Sequence, residues 1–214
     1  LRTGSSVTDL TPTTDGIRVE VDGEPEHADI AVNAAGAWAN KIAQLTGEEL
    51  PVTIDRRRLS TFDTAEFPDA PLTVDVDSGA YILPQADGTL HAGGKFRSTS
   101  GVTDPDDNES SVTDTDPDYT DRLRSHAAQL YEPFVDAEIL TSRTGLYTMT
   151  EDRVPIIDKH RNVIHVTGFS GHGIMQAPAA GMVVARLVDT DSDPSVSVEA
   201  LSRDRTAAVA DIQF

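Results

Sequence analysis

The chain has 214 residues, with 17 basic and 36 acidic side chains and a formal net charge of −19. A field this negative excludes nonspecific nucleic-acid binding and docking on an anionic membrane surface. The chain contains no cysteine. This absence excludes a disulfide scaffold, a thiolate metal site and a cysteine nucleophile.

The acidic composition indicates a surface adapted to high salt. Asp outnumbers Glu by 25 to 11, and only three of the basic residues are lysines. At 1 M salt the Debye length is about 3 Å, so exposed carboxylates barely repel one another, whereas in dilute buffer they destabilise the compact state. We therefore predict a halophilic protein. The alternative is an acidic mesophilic protein that is not adapted to high salt.

The chain also carries signals about its location and extent. No apolar stretch approaches the 18 residues that a membrane span requires. The first residue is Leu1, and no charged-then-apolar leader follows it. We expect a cytoplasmic protein without a membrane span, and a chain that begins part-way through a longer one.

The first part of the chain is predicted to form short strands and one helix. Ser6–Leu10 and Ile17–Val21 alternate apolar and polar residues, which is typical of strands. Ala28–Val32 is an apolar run of the buried-strand type. It continues through Asn33–Trp38 into a helix that is expected to end near Leu45.

The middle of the chain is predicted to form a mostly antiparallel sheet with one helix. Leu72–Val76, Ala80–Pro84 and Thr89–Phe96 have strand patterns. An Asp-rich loop is expected over residues 104–118. Tyr119–Tyr131 places apolar residues at helical spacing.

The last part of the chain is predicted to form a strand, a turn and a helix. Residues 137–148 look extended, and Asn162–Thr167 reads as a buried strand. Gly168–Gly173 is a glycine-rich turn, and Gln176–Val188 is a helix rich in small residues. A polar tail is predicted beyond it. The two ends could share one α/β layer while the middle forms a separate sheet.

The turn between the last strand and the last helix is the strongest candidate site. Glycines allow close backbone approach, and a helix N-terminus offers free N–H groups to a phosphate, a carboxylate or a delocalised anion. Gly171 begins a GxGxxG pattern, but Gln176 replaces its third glycine. A hydrolase nucleophile elbow at Ser170 fails because His172 stands where glycine is needed. A purely structural turn stays an alternative.

Weaker signals lie elsewhere. The small residues of the Asn33–Gly36 turn also permit close approach, although simple packing explains them equally. Arg56–Arg58 indicates either a salt-bridged surface or contact with an anionic cofactor or substrate.

Histidines and acidic loops give no metal site in the sequence. The Asp104 loop lacks the glycine and the closing glutamate of an EF-hand. His91 and His172 stand out because each lies near a glycine cluster, whereas the other four are interpreted as structural or solvated: His27, His126, His160 and His165.

Three segments carry a resemblance to a known family. Ala31–Trp38, Thr144–Asp158 and Thr167–Pro178 resemble, in order and spacing, blocks of the FAD-dependent D-amino-acid oxidase/sarcosine oxidase/glycine oxidase superfamily. That family begins with a strand–GxGxxG–helix unit that holds the FAD pyrophosphate, and nothing like it occurs in this sequence. The resemblance implies that the partner of this chain is the N-terminal part of the FAD domain.

The resemblance implies a fold and a set of cofactor contacts. The fold is α+β or α/β: part of a Rossmann-like FAD domain (residues 1–50 and 146–190), an antiparallel substrate domain (51–145) and a polar tail (191–214). FAD would be noncovalent, since the Gly145 position holds a cysteine in covalently flavinylated members. The residues implied to contact FAD are Ala34, Ala35, Gly36, Trp38, Gly145, Gly171, His172, Gly173, Ile174 and Met175.

The resemblance also implies an activity. It is oxidation of the C–N bond of an amino acid or N-methylated amine by hydride transfer to flavin, with His91 and His172 as catalytic residues and Tyr147 and Met175 against the substrate. Related oxidases carry basic residues at the Tyr147 position and near Met175 and His91. Because none of these is present here, a non-catalytic flavoprotein-like assembly or interaction domain is the alternative.

Overall fold

The computed structural model describes residues 1–63, 71–94, 100–102, 104–107, 117–189 and 198–205. The chain forms two compact units. Among the described residues, the first contains Leu1–Ile54 and the chain from Tyr147 to Arg205, and the second extends from Asp55 to Leu146. The predictions for Lys95 and Phe96, and for most of the Asp-rich loop, lie outside the described residues.

The elements follow the chain in this order. The first unit opens with β1 (Val7–Pro12), β2 (Ile17–Val21), β3 (Glu24–Ala28), β4 (Ala31–Asn33), a 3₁₀ turn (Gly36–Trp38) and α1 (Ala39–Gln44). The middle of the chain forms β5 (Thr53–Asp63), β6 (Thr73–Val74), β7 (Tyr81–Pro84), β8 (Thr89–Gly93), β9 (Ser100–Val102), α2 (Pro117–Leu130) and β10 (Glu138–Met149). The first unit is completed by β11 (Ile156–His160), β12 (Val163–Thr167) and α3 (Gly173–Val188). Three further 3₁₀ turns lie at Pro105–Asp107, Glu132–Val135 and Glu199–Leu201.

The first unit contains two three-stranded sheets. β1, β2 and β3 form an antiparallel meander. In the other sheet β12 lies in the centre, antiparallel to β11 and parallel to β4. Leu10, Ile17 and Val163 form a buried cluster that includes residues of both sheets, so apolar packing connects them.

The predicted buried strand over Ala28–Val32 is wrong. Ala28 pairs with Ile17 in the meander, whereas Ala31 pairs with Val163 in the other sheet. The chain therefore changes sheets between these residues, and Val32 is 48% exposed. An apolar run does not reveal this break, because its residues satisfy their backbone hydrogen bonds on two different partners.

The second unit is a sheet covered by α2. The strand order is β10-β5-β8-β7-β6, with β9 also beside β5. Leu123 and Ala127 of α2 pack on Phe62 and Leu90 of the sheet. The predicted amphipathic helix is confirmed within two residues at its start. The predicted strand Leu72–Val76 shortens to β6, because the chain turns after Asp75, whose carbonyl accepts a hydrogen bond from the Gly79 N–H.

The last part of the first unit differs from the sequence prediction in two places. α3 begins at Gly173, three residues before the predicted start at Gln176. Within the predicted polar tail, Val198 and Leu201 pack against the buried cluster of Ile157 and Val183. Within the described part of the chain no helix is long and apolar enough to cross a membrane. The cytoplasmic location and the halophilic surface stay predictions.

Candidate functional site

Two turns that the sequence singles out lie at the same edge of one sheet. β4 and β12 are parallel, with Asn33 beside His165, so the segments that follow both strands leave the sheet at their carboxyl ends. The Thr167 hydroxyl donates a hydrogen bond to the Gly36 carbonyl at 3.4 Å. Ligand crevices in α/β sheets form outside the carboxyl ends of parallel strands. The structure therefore brings together the Ala34–Gly36 turn and the Gly168–Gly173 turn.

The first turn is held by a buried side chain. Asn33 is 4% exposed. Its Nδ2 donates to the Ala39 carbonyl at 2.8 Å, and its Oδ1 accepts from the Ala35 N–H at 3.3 Å. Gly36 has a φ of +57°, a left-handed conformation that glycine adopts without strain. One amide side chain thus fixes both ends of the turn, while Ala34 and Trp38 stay exposed.

The second turn requires glycine for steric reasons. At Gly171, with φ +93°, a Cβ would lie 2.3 Å from the Tyr147 ring. At Gly168, with φ +77°, it would lie 2.6 Å from the Thr150 methyl group. The Ser170 N–H donates to the Thr148 carbonyl at 3.0 Å. Tyr147, a predicted substrate residue, therefore packs directly on the glycine-rich turn.

The start of α3 presents an open helix N-terminus. His172 is the N-cap, and within the described chain its side chain makes no capping hydrogen bond and no acidic residue lies in the first turn. Ile174 and Met175 are 95% and 74% exposed. Because the first N–H groups of a helix lack intrahelical acceptors and carry the positive end of its dipole, this end can hold an anion or a polar carbonyl. This helix start contains His172, Gly173, Ile174 and Met175, four of the residues that the resemblance assigns to the cofactor.

His91 lies in the second unit. It sits on β8, paired with Thr61 of β5 and Leu83 of β7. Burial, and next the positive charge of Arg143, lower the pKa of His91. The imidazole is therefore neutral near pH 7, where it can donate one hydrogen bond and accept another.

Gly145 and the arginine run complete the predicted candidates. In the described structure a Cβ on Gly145 would meet no heavy atom within 4 Å, so packing among the described residues does not explain this glycine.

Arg57 forms an ion pair with Asp55 at 2.5 Å, and the Arg58 guanidinium lies 5.1 Å from the centre of the Tyr119 ring. These contacts favour the salt-bridged interpretation of Arg56–Arg58.

The sequence missed a cluster of charged residues in the first unit. Arg203 binds Asp158 with two guanidinium nitrogens, at 2.8 and 2.9 Å, and Glu48 at 2.5 Å. Burial alone would raise the pKa of Glu48. Hydrogen bonds from His160 and Arg203 outweigh this effect and lower the pKa to about 2. Arg205 binds Asp152 in the same segment, and this hydrogen bond is the main cause that lowers the pKa of Asp152 to about 2.

No local pattern predicts this cluster. Arg203 lies 45 residues from Asp158 and 155 residues from Glu48 in the chain. His165, fully buried, contacts Glu48 on one side and Asn33 on the other. Among the residues that the structure describes, no group of three His, Asp or Glu side chains is arranged for a metal ion.

Comparison with known proteins identifies the family. Residues 1–187 match the family model described as DAO, FAD dependent oxidoreductase. The chain belongs to this family. DAO-family proteins are FAD-dependent, so the predicted cofactor is confirmed at the level of the family.

Individual relatives agree with this assignment. FAD-dependent oxidoreductase domain-containing protein 1 of Bos taurus is 30% identical over 183 residues, covering 77% of this chain and 36% of the relative. Monomeric sarcosine oxidase of Bacillus sp. (strain B-0618) is 24% identical over 216 residues, covering 94% of this chain and 54% of the relative. The chain thus spans between about a third and a half of the length of these two relatives.

A solved structure confirms the fold class. Glycine oxidase from Geobacillus kaustophilus superposes with a TM-score of 0.80 at 23% identity, covering 94% of this chain and 52% of that one. The mixed helix and antiparallel-sheet architecture that the resemblance implied is therefore confirmed for this DAO-family chain.

Proposed function

We propose that the complete protein containing this chain is an FAD-dependent oxidoreductase that oxidises the C–N bond of an amino acid or N-methylated amine. The observation that carries the proposal is the shared sheet edge in the first unit, where the Asn33–Gly36 turn lies beside the Gly168–Gly173 turn. Membership of the DAO family supports FAD as the group held there. Glycine oxidase and sarcosine oxidase are among the relatives, which supports an amine substrate.

The residues at this edge fit the predicted cofactor. The N–H groups at the start of α3 form a donor set without side-chain competition in the described chain. Exposed small residues in the first turn leave its backbone open to a flat ligand. The chain contains no cysteine, so it offers no thiol for a covalent flavin link and we propose noncovalent binding.

The division of chemistry follows from these groups. When bound, FAD supplies the acceptor for the hydride that leaves the carbon next to the substrate nitrogen, and the imine product then hydrolyses. The helix N-terminus of α3 stabilises negative charge on the group it contacts, because its dipole is fixed before reaction. Tyr147 and Met175 are proposed to contact the substrate, and His172 to contact the cofactor. The neutral imidazole of His91 is proposed to donate a hydrogen bond.

We further propose that the remaining part of the FAD domain covers an apolar surface of the first unit. The exposed large apolar residues there contrast with the acidic composition of the chain: Val32, Trp38, Ile174, Met175 and Met182. Large exposed apolar patches mark interaction sites, and these side chains are proposed to form one. The relatives extend beyond the region that this chain matches, which supports a covering segment outside it.

The experiment uses the full-length protein, purified in concentrated KCl with FAD. Anaerobic addition of sarcosine, dimethylglycine, proline and several primary D- and L-amino acids should bleach the visible flavin absorbance for at least one member. A matched set of carboxylic acids without nitrogen should leave it unchanged. Bound flavin that no amine reduces would support the non-catalytic assembly, which the replacement of basic residues at Tyr147 and near Met175 and His91 favours. Failure to bind FAD would contradict both.

A further inference from the structure

The buried charged cluster connects the C-terminal segment to the first turn. Arg203 Nη1 contacts Glu48 Oε2, the same oxygen that lies 3.4 Å from His165 Nε2. His165 Nδ1 lies 3.0 Å from Asn33 Nδ2. Asn33 in turn holds the backbone of Ala35 and Ala39. All these contacts lie within the first unit.

The geometry fixes the tautomer of His165. The Ala39 carbonyl can only accept and the Ala35 N–H can only donate, so the orientation of the Asn33 amide is determined. Its NH₂ group therefore faces His165 Nδ1, which must accept and carries no proton. The single imidazole proton then lies on Nε2, which is 3.4 Å from Glu48 Oε2 but makes no hydrogen bond in the described structure.

Protonation of His165 is incompatible with this arrangement. A proton on Nδ1 would place two donors face to face at 3.0 Å. The Asn33 amide would have to rotate and present Oδ1 to Nδ1–H. It would then lose its hydrogen bonds to the Ala39 carbonyl and the Ala35 N–H, which fix the turn.

We propose that Arg203 is a positioning residue: by binding Glu48 it keeps His165 neutral and holds Asn33 in the orientation that shapes the Asn33–Ala39 turn. The consequence for FAD rests on the proposed function, whereas the coupling itself does not.

The charged surroundings of His165 support this role. Burial and next the charge of Arg203 lower the pKa of His165, while Glu48 and Asp158 raise it. His160 contacts the other oxygen of Glu48 at 2.8 Å. Loss of Arg203 removes a positive charge and leaves the carboxylates of Glu48 and Asp158 near the buried imidazole, which favours its charged form.

The test compares two arginines of one segment in the 214-residue chain. Imidazole ¹⁵N–¹H spectra in concentrated KCl report the tautomer and charge of His165, and amide exchange reports the Ala35 N–H. In the wild type at pH 7 we expect a neutral Nε2–H tautomer. Arg203→Gln should produce imidazolium and accelerate Ala35 exchange about tenfold or more, and Arg203→Lys should restore part of the neutral form.

Arg205→Gln is the matched control, because Arg205 forms a comparably buried ion pair with Asp152 and is not part of the path to His165. It should lower stability and leave His165 neutral. Equal effects of the two variants on His165, or no effect of Arg203→Gln, would overturn the proposal. If Arg203→Gln does not fold, acid titration of the wild type decides: His165 protonation and Ala35 exchange must share one midpoint, and separate midpoints reject the coupling.

A final arm separates this inference from the proposed function. In full-length protein, Arg203→Gln should raise the FAD dissociation constant about tenfold over Arg205→Gln. A confirmed His165 coupling in a wild-type protein that binds no flavin would contradict the proposed function alone.

Discussion

The ring of Tyr147 occupies the space in which a side chain at Gly171 would lie. A Cβ there would approach Tyr147 Cε2 to 2.3 Å, and Gly171 also has a φ of +93°. Two predicted site residues, one for substrate and one for cofactor, are therefore sterically interdependent. A side chain at Gly171 therefore requires the Tyr147 ring to move.

This interdependence predicts the effect of Gly171→Ala. Overpacking and left-handed strain together should destabilise the chain by about 1–3 kcal/mol, measured by denaturant unfolding in constant KCl. The control is Gly181→Ala in α3, where a Cβ meets nothing within 4 Å in the described structure. It should stabilise by about 0.5–1 kcal/mol, because alanine favours a helix interior. Equal effects of the two variants would show that Tyr147 does not fill this space.

Acid should lower the unfolding free energy of the chain by protonating Glu48 and Asp152. Both pKa values are lowered to about 2 in the folded state, from 4.5 and 3.8. Groups with lowered folded-state pKa values contribute stability above the unfolded pKa, and this contribution is lost as pH falls through the folded pKa. Unfolding free energy should therefore decline from about pH 4.5 to about pH 2.

The slope of that decline identifies the residues. Asp152→Asn should flatten it between pH 4 and 2, whatever its effect on stability at neutral pH. Glu151→Gln removes the exposed carboxylate next in sequence and controls for the change in net charge. An unchanged slope in Asp152→Asn would contradict the assignment of the lowered pKa.

His91 should respond to the loss of its basic neighbour. Arg143 is one of two causes that lower the pKa of His91, after burial. Arg143→Gln should therefore raise this pKa, followed by NMR of the imidazole, while Arg143→Lys should retain the lowered value. If the pKa of His91 in both variants equals that in the wild type, the charge at residue 143 does not influence His91.

Salt should stabilise this acidic chain strongly. With a net charge of −19, the melting temperature should rise steeply with KCl until exposed carboxylates are screened near 1 M, where the Debye length is about 3 Å. Calorimetry or circular dichroism over a KCl series measures this directly. A flat response would remove the halophilic interpretation.

Local sequence patterns predicted the elements whose determinants lie close together in the chain. The strand Ile17–Val21, helix α2 and the turn Gly168–Gly173 are set by alternation, helical spacing and glycine content over a few residues. The candidate site segments carry the same kind of local signal, since each is a contiguous motif.

The features that were missed depend on distant partners. The separation of β3 from β4 follows from pairing with Ile17 and Val163, which no pattern within Ala28–Val32 contains. The roles of His165 and Arg203 depend on Glu48, more than 100 residues away in the chain. Such contacts arise from tertiary packing, and a polar segment such as Val198–Arg205 gives no local sign of them.

We propose that the full-length protein containing this chain is an FAD-dependent amine oxidoreductase. The most direct measurement is the visible flavin spectrum of the full-length protein during anaerobic titration with the amine panel. We expect bound, noncovalent FAD whose visible absorbance is bleached by at least one amine. FAD that no amine reduces, or a full-length protein that binds no FAD, would contradict it.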